Sequence, residues 1–351
     1  MPKASLVATA ALFTGLIALT ALTADARADG SVTIQLTADG QQLASDLGLS
    51  VAAFQREVED RLATIYDTAN VDGFIRSFAN ATSFASRGTG VDYAPLFRDV
   101  EVGVTVNLAA AVDNLSTSAD PVGGVAPNLA LMAGLNLAHW NHPELAVYVH
   151  GMHRGASLDA LSGSISNAGG HVQYHLFYPR ADASSLLFLW SGVHLTAGVE
   201  YSRWSFSLDH PLEQSFDVAG ASASTTLTTQ ATGVLDLQAS SLTFPIEVTT
   251  SARVAYFAGV YAGFGLDVQS GTARAAATLS GTMTAIDPAN GGVVDVGTAA
   301  ITMSGESGPA AVAYHVLAGL EANVWRLKAF VQGTFVPVDG ASVALGLRVR
   351  I

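Results

Sequence analysis

The stretch VEVGVTVNLAAAVD, Val100–Asp113, sets apolar side chains at every even position (Val100, Val102, Val104, Val106, Leu108, Ala110, Val112) against Glu101, Gly103, Thr105, Asn107, Ala109, Ala111 and Asp113. A period of two held this long fits a β-strand, because successive side chains of a strand point to opposite faces. Strands of soluble proteins run to roughly 5–6 residues, whereas a tilted strand needs about 9–11 to cross a bilayer. This one is long enough to span a membrane, with an aliphatic face for lipid and a small or polar face for an interior. A long strand in a soluble sandwich would alternate too, so recurrence decides between the two.

The pattern returns at 128–139, 144–154, 171–178, 187–207, 235–249, 254–268, 312–324, 327–336 and 343–351. Short connections fall near 140–143, 179–185, 250–253 and 325. Longer Gly-, Ser- and Thr-rich stretches at 114–127, 155–170, 208–232 and 270–306 read as loops on the other side, the last closed as a hairpin at Asp287-Pro288-Ala289-Asn290-Gly291-Gly292. Trp140, Tyr178, Tyr201, Trp204 and Trp325 stand at strand ends, where an interfacial aromatic girdle belongs. This arrangement resembles the general family of bacterial outer-membrane β-barrels. The resemblance implies an all-β fold, a closed antiparallel transmembrane barrel of about ten strands, or twelve if 208–232 or 270–306 adds a spanning pair, with an N-terminal helical segment. It also implies short turns and both chain ends in the periplasm. The family's last strand usually ends in an aromatic residue, and this chain ends in Ile351.

The composition fits that reading. Half of the 351 residues are hydrophobic and 13% are charged, yet beyond residue 30 there is no apolar run long enough for a membrane helix, so the apolarity is distributed by alternation. Cysteine is absent, which excludes disulfides and thiolate metal sites. Residues 1–28 read as a signal peptide: Lys3, an apolar run from Leu6 to Leu22, and Ala26-Arg27-Ala28 before the cut. No cysteine follows to carry a lipid. A net charge of −13 on an exported chain argues against nucleic acid as a partner and leaves outer-membrane lipid and a small-molecule solute.

Between leader and barrel, residues 29–95 are helical in pattern. Ser31 to Thr37 alternates as a short strand or arm. A short helix over 41–47 is closed by Gly48, and a second runs from the N-cap Ser50 to Asp67 with Val51, Phe54, Val58, Leu62 and Ile65 on one face. A third covers about 71–79. The pair resembles a helix-turn-helix unit, but the helix that would enter DNA holds more acid than base, which rejects that function. A helical segment followed by the small, polar stretch 78–90 and then the first barrel strand resembles in arrangement the lumen hatch of FadL-like outer-membrane transporters. That resemblance implies a plug inside the barrel carried by Phe54, Val58 and Leu62. The competing reading is a periplasmic extension outside the barrel.

The face turned from lipid carries Tyr148, His150, His171, His175, Phe177, His194, Glu200, Glu247, Phe257, Tyr261, Asp267, His315, Glu321, Lys328, Phe330, Arg348 and Arg350, the candidate lumen and ligand residues. His171 and His175 lie four residues apart on one strand, roughly 13 Å at the usual rise, and cannot share an ion unaided. No metal or other cofactor is therefore expected. Motifs for hydrolases, phosphate loops and zinc enzymes are missing, and Ser202, Ser205 and His210 have no catalytic spacing, so no enzyme is expected. The expectation is an outer-membrane channel or transporter for small, hydrophobic molecules gated by its N-terminal plug. The alternative is a structural or surface-interaction barrel with a sealed lumen and function in 208–232 and 270–306. Val104→Arg, on the lipid face, is expected to cost roughly 2–4 kcal/mol of folding free energy into lipid vesicles, with Thr105→Arg, on the other face, the milder change in the same urea titration.

Overall fold

A computed structural model of the protein describes residues 27–67, 71–94, 100–113, 122–177, 188–254, 257–288, 290–337 and 340–351. All but the last two residues of the expected leader, and Tyr178 of the expected girdle, lie outside them. The chain begins with β1 (Arg27–Leu36), α1 (Ala38–Asp46), α2 (Val51–Asp67) and α3 (Val71–Phe84). There follow β2 (Val100–Asp113), β3 (Val122–Asn136), β4 (Leu145–Leu158), β5 (Leu161–Phe177), β6 (Phe188–Ala219), β7 (Ser224–Val254), β8 (Ala258–Ile286), β9 (Val293–Ser307), β10 (Val312–Val324), β11 (Leu327–Val336) and β12 (Gly340–Arg350).

Ten of these strands close a ring. Each of β2 to β8 pairs antiparallel with the next, β8 also pairs with β10, and β10, β11 and β12 lead back to β2, so hydrogen bonds circle the barrel. The even residues of β2 face outward and its odd residues inward, as the alternation requires: Val102, Val106 and Leu108 are exposed while Thr105, Asn107 and Ala109 are fully buried. That burial alters the expectation for Thr105. The lumen is packed, so an arginine there has no space and is no longer the milder change.

The stretches 155–170 and 208–232, expected as loops, are strand. Thr, Ser and Ala without a continuous apolar face read as loop, but they alternate, and β4–β5 and β6–β7 are hairpins closed at 159–160 and 220–223. In consequence β6, β7 and β8 reach 32, 31 and 29 residues and project beyond the ring as a blade. The 270–306 excursion is a hairpin closed at Asp287, whose N–H donates to Gly292 O at 2.8 Å, but it adds to the blade rather than to the ring. β9 lies along the upper half of β8 and β10 along the lower half in one continuing register, Ala273 opposite Ser307 and Val268 opposite Val312. Between them Gly308-Pro309-Ala310-Ala311 interrupts the ladder, and Asn80 Oδ1 accepts from Ala310 N at 2.9 Å. β1 then pairs with the far side of β9.

Local chemistry sets the helices. Thr37 caps α1 by accepting from Gly40 N, Gly48 ends it with φ +76°, and Ser50 Oγ caps α2 by accepting from Ala53 N at 3.2 Å. The stripe Phe54, Val58 and Leu62 does not enter the lumen. It joins Leu43 and Ala44 of α1 and Leu47 just after it on the inner face of the blade, against Val218, Leu227, Met283, Ala285, Val296, Ala299 and Ile301. The blade's inner face is aliphatic there, whereas the lumen below is polar, so the stripe docks where the wall is apolar.

α3 is the element that enters the barrel, and it is longer than its pattern indicated. Ile75, Phe78, Ala79, Ala81 and Phe84 pack on small wall residues, among them Ala109, Ala111, Ala126, Ala239, Ala273, Ala275 and Ala313. The chain descends from there. Ala85 and Arg87 lie beside Asn107 halfway along β2, and Asp92 lies beside Arg348 near the start of that strand. The polypeptide thus threads its own lumen, and β1 and Ile351 stand at opposite rims rather than on one side as expected. Phe54→Ala is expected to lose about 3–5 kcal/mol from the α1–α2 contact, read as faster proteolytic release of residues 27–67 with the ring's heat-resistant gel mobility unchanged.

Candidate functional site

The lumen is where polar chemistry concentrates, because each strand sends every second side chain inward. Near the rim that carries the short turns, Asp92 of the threaded segment accepts from Lys328 Nζ and from Arg348 Nη1 at 3.0 Å. Arg348 also donates to Val91 O at 2.6 Å, stands 3.4 Å from Glu101 and lies over the Phe330 ring at 4.0 Å. Lys328 also donates to Ala94 O and faces Glu321 at 3.3 Å, both partners buried. Higher up, Arg87 pairs with Asp267 at 2.7 Å, and the His315 ring is held between Asp267 at 2.7 Å and Glu247 at 3.0 Å. Both ring nitrogens face carboxylates, an arrangement that calls for a doubly protonated imidazolium donating to each. Tyr93 donates to the second oxygen of Glu247 at 2.6 Å.

A third branch joins Ser86, which donates to Glu200 at 2.6 Å, to His171, whose Nε2 meets the other Glu200 oxygen at 3.0 Å; His150 stacks on His171 at 5.5 Å. Asn107 and Asn128 donate to Ala85 O, and Ser83 bonds Gln269. The fit is close. A Cβ on Gly90 would fall 2.0 Å from His150 Nδ1, and Gly88, with φ +69°, would collide with Gln332. Threaded segment and wall therefore form one lattice in which neither is electrostatically complete alone. Among the described residues no group of three His or acidic side chains is poised to hold a metal ion.

The structure distributes the sequence-expected site residues unevenly. Tyr148, His150, His171, His175, His194, Glu200, Glu247, Tyr261, Asp267, His315, Glu321 and Arg348 are buried against the lumen. Arg350 lies at the rim, donating to Trp325 O at 2.6 Å. Phe177 and Phe257 do not line the lumen; they are 63% and 59% exposed. Phe177 follows a bulge after His175 that reverses its face, and Phe257 sits in the turn between β7 and β8. Trp204, expected in the outer girdle, is 1% exposed and packs with the α3 cluster, because the inward parity of β6 continues through it. Ser202 and His210 lie eight residues apart on β6, roughly 26 Å at the usual rise, and are not assembled with Ser205. Arg87, Asp92, Tyr93 and Ser86 escaped the sequence reading. The available signal was an acidic lumen face with too few bases, next to an arginine isolated among small residues at Ala85-Ser86-Arg87-Gly88.

Ring, outward apolar face and filled interior define an outer-membrane-type β-barrel. The chain belongs to the Lsa36-like family, whose model matches residues 27–351. No curated protein matches it. Among solved structures it is similar to Ail, the attachment invasion locus protein of Yersinia pestis (9% identity over 72% of this chain and all of that one, TM-score 0.23). It is also similar to the translocator domain of the autotransporter NalP from Neisseria meningitidis (10%, 83% and 98%, 0.29) and to a Pseudomonas aeruginosa FadL homologue (9%, 80% and 95%, 0.23). Identities and scores this low transfer no site residue.

Removing one member of a buried pair leaves its partner charged and unneutralised, at a cost of about 3–5 kcal/mol. Arg87→Met is accordingly expected to lower the thermal unfolding midpoint of the detergent-solubilised protein, and Arg87→Met with Asp267→Leu to recover most of the loss.

Proposed function

We propose that this protein is an integral outer-membrane barrel, sealed at rest by its own chain, whose working surface is the blade with its docked helices. The outer wall supports membrane insertion. Val106, Leu108, Leu131, Val149, Phe244, Phe264, Leu320 and Leu345 are exposed around the ring, an apolar surface far larger than a water-soluble monomer leaves bare. Exposed aromatics ring both ends, with Trp140, Phe188, Trp190, Phe257 and Trp325 at the short-turn rim and Tyr201, Tyr314 and Phe335 higher up. Tyr314 on β10 and Trp325, in the turn just past its end, are 11 residues apart, about 28 Å along the normal for a tilted strand, close to the height of an outer-membrane apolar band. Short turns belong on the periplasmic side of such barrels, and this supports reading the blade as the part that faces the cell exterior.

The observation that carries the sealed reading is the pair of ionic anchors, Arg87 to Asp267 and Asp92 to Lys328 and Arg348, that tie the threaded segment to the wall at two levels. A second reading, passage of small hydrophobic molecules, is favoured by an apolar concavity of about 240 Å³ on the blade's inner face. Leu208, His210, Leu212, Leu235, Leu279, Ile301 and Met303 line it, between the α1–α2 core and the barrel mouth. Single-channel recording separates the two. The sealed reading expects no steady conductance from the wild type and openings from Arg87→Ala with Asp92→Ala; a wild type that conducts, or takes up an apolar dye into liposomes, favours passage.

A further inference from the structure

The turn between β10 and β11 is two residues long, with Val324 opposite Leu327, and its first residue, Trp325, has φ +55°. Asn141 and Asp159 also have positive φ, which their short polar side chains tolerate, but for an indole the conformation is strained. Glycine or asparagine would serve such a turn better. Strain of this kind is kept where a side chain has other work. Core packing is not that work, since Trp325 is 85% exposed, more than any other large apolar side chain among the described residues.

Two guanidinium groups stand around the indole. Arg326, the second turn residue, holds its Cζ 5.4 Å from the Trp325 ring centroid, within cation–π range. Arg350, at the end of β12, donates from Nη2 to Trp325 O at 2.6 Å and from its backbone N–H to Arg326 O at 2.9 Å. Its Nε is buried and has no partner among the described residues. The acids of this sector are already engaged: Glu321 faces Lys328, Glu101 faces Arg348, and Asp92 lies between those two bases. Among the described residues neither Arg326 nor Arg350 forms an ion pair, so two bases share one turn without a counter-charge in a chain of net charge −13.

We propose that Trp325, Arg326 and Arg350 form a binding site for the phosphodiester of an anionic phospholipid. The proposal rests on the reading of the ring as a membrane-spanning wall, which sets Trp325 in the headgroup layer where tryptophan concentrates. There the indole lies beside the glycerol and upper acyl groups, and the guanidinium forks donate to the phosphate oxygens. A zwitterionic lipid brings its own cation to compete with them. Inorganic phosphate offers the same oxygens but nothing for the indole to cover.

The test is native mass spectrometry of the full-length protein released from nanodiscs of equal phosphatidylglycerol and phosphatidylcholine. The wild type is expected to retain phosphatidylglycerol preferentially. That preference should fall about fivefold in Arg326→Gln, the contribution of one arginine at an anionic surface, and further when Arg350→Gln is added. Arg274→Gln, which removes a blade arginine paired with Glu306, should leave it unchanged. Trp325→Gly should weaken retention without lowering the thermal midpoint, because glycine relieves the turn. A protein that does not enter nanodiscs overturns the wall reading and the proposal with it. Entry without a preference, or a preference that survives Arg326→Gln with Arg350→Gln, overturns the site alone. Displacement of the retained lipid by inorganic phosphate would assign the site to free phosphate and overturn the lipid.

Discussion

A charge buried without a counter-charge is one of the costliest things a fold can contain, and the wall of this barrel carries five inward acids: Glu101, Glu200, Glu247, Asp267 and Glu321. Lys328, Arg348 and His315 on the wall offset part of that, and the threaded segment supplies Arg87, along with donors from Ser86 and Tyr93. Asp92, a further acid, sits between the two wall bases and links Lys328 to Arg348, which would otherwise repel. The threaded segment is thus part of the interior of the barrel. Its position follows from electrostatics at the lower levels and from apolar packing at the upper ones.

The same inward positions change character with height along single strands. On β7 they run Glu247, Thr243 and Ser241, then Ala239, then Leu227; on β8 they run Asp267 and Gln269, then Ala273 and Ala275, then Met283 and Ala285. The polar level binds the threaded segment, the alanine level admits a helix close to the wall, and the aliphatic level holds α1 and α2. One pair of long strands therefore specifies three binding surfaces without a change of fold.

This explains what could be read from the sequence and what could not. Strand alternation is local, so the ring strands, the faces of β2 and the lumen histidines and acids were visible in it, as were the caps at Ser50 and Gly48. Docking is not local. The stripe Phe54, Val58 and Leu62 announces that it needs an apolar partner, but the wall it meets is assembled from parts of β6, β7, β8 and β9 that all lie in 208–232 and 270–306, both of which read as loops. Phe177 and Trp204 failed for a related reason: a one-residue slip after His175 reverses a face, and inward parity on β6 persists past the point where a rim was expected. Arg87 and Asp92 carried a sign of charge but no periodicity to say where they would go.

Threading also constrains the order of events by which the molecule is made. The segment from Val71 to Ala94 runs between the docked helices above and β2 below, so once α1, α2 and β1 are docked it cannot slide into or out of a ring that is shut. Apart from that segment, the ring has one seam between strands distant in the chain, where β12 meets β2 from Gly340 opposite Ala111 to Arg350 opposite Glu101. Arg348 sits in that seam and grips both Asp92 and Glu101. Helix docking and seam closure together lock the segment in place, and the strand pair that completes the circle also completes the charge pairing around Asp92.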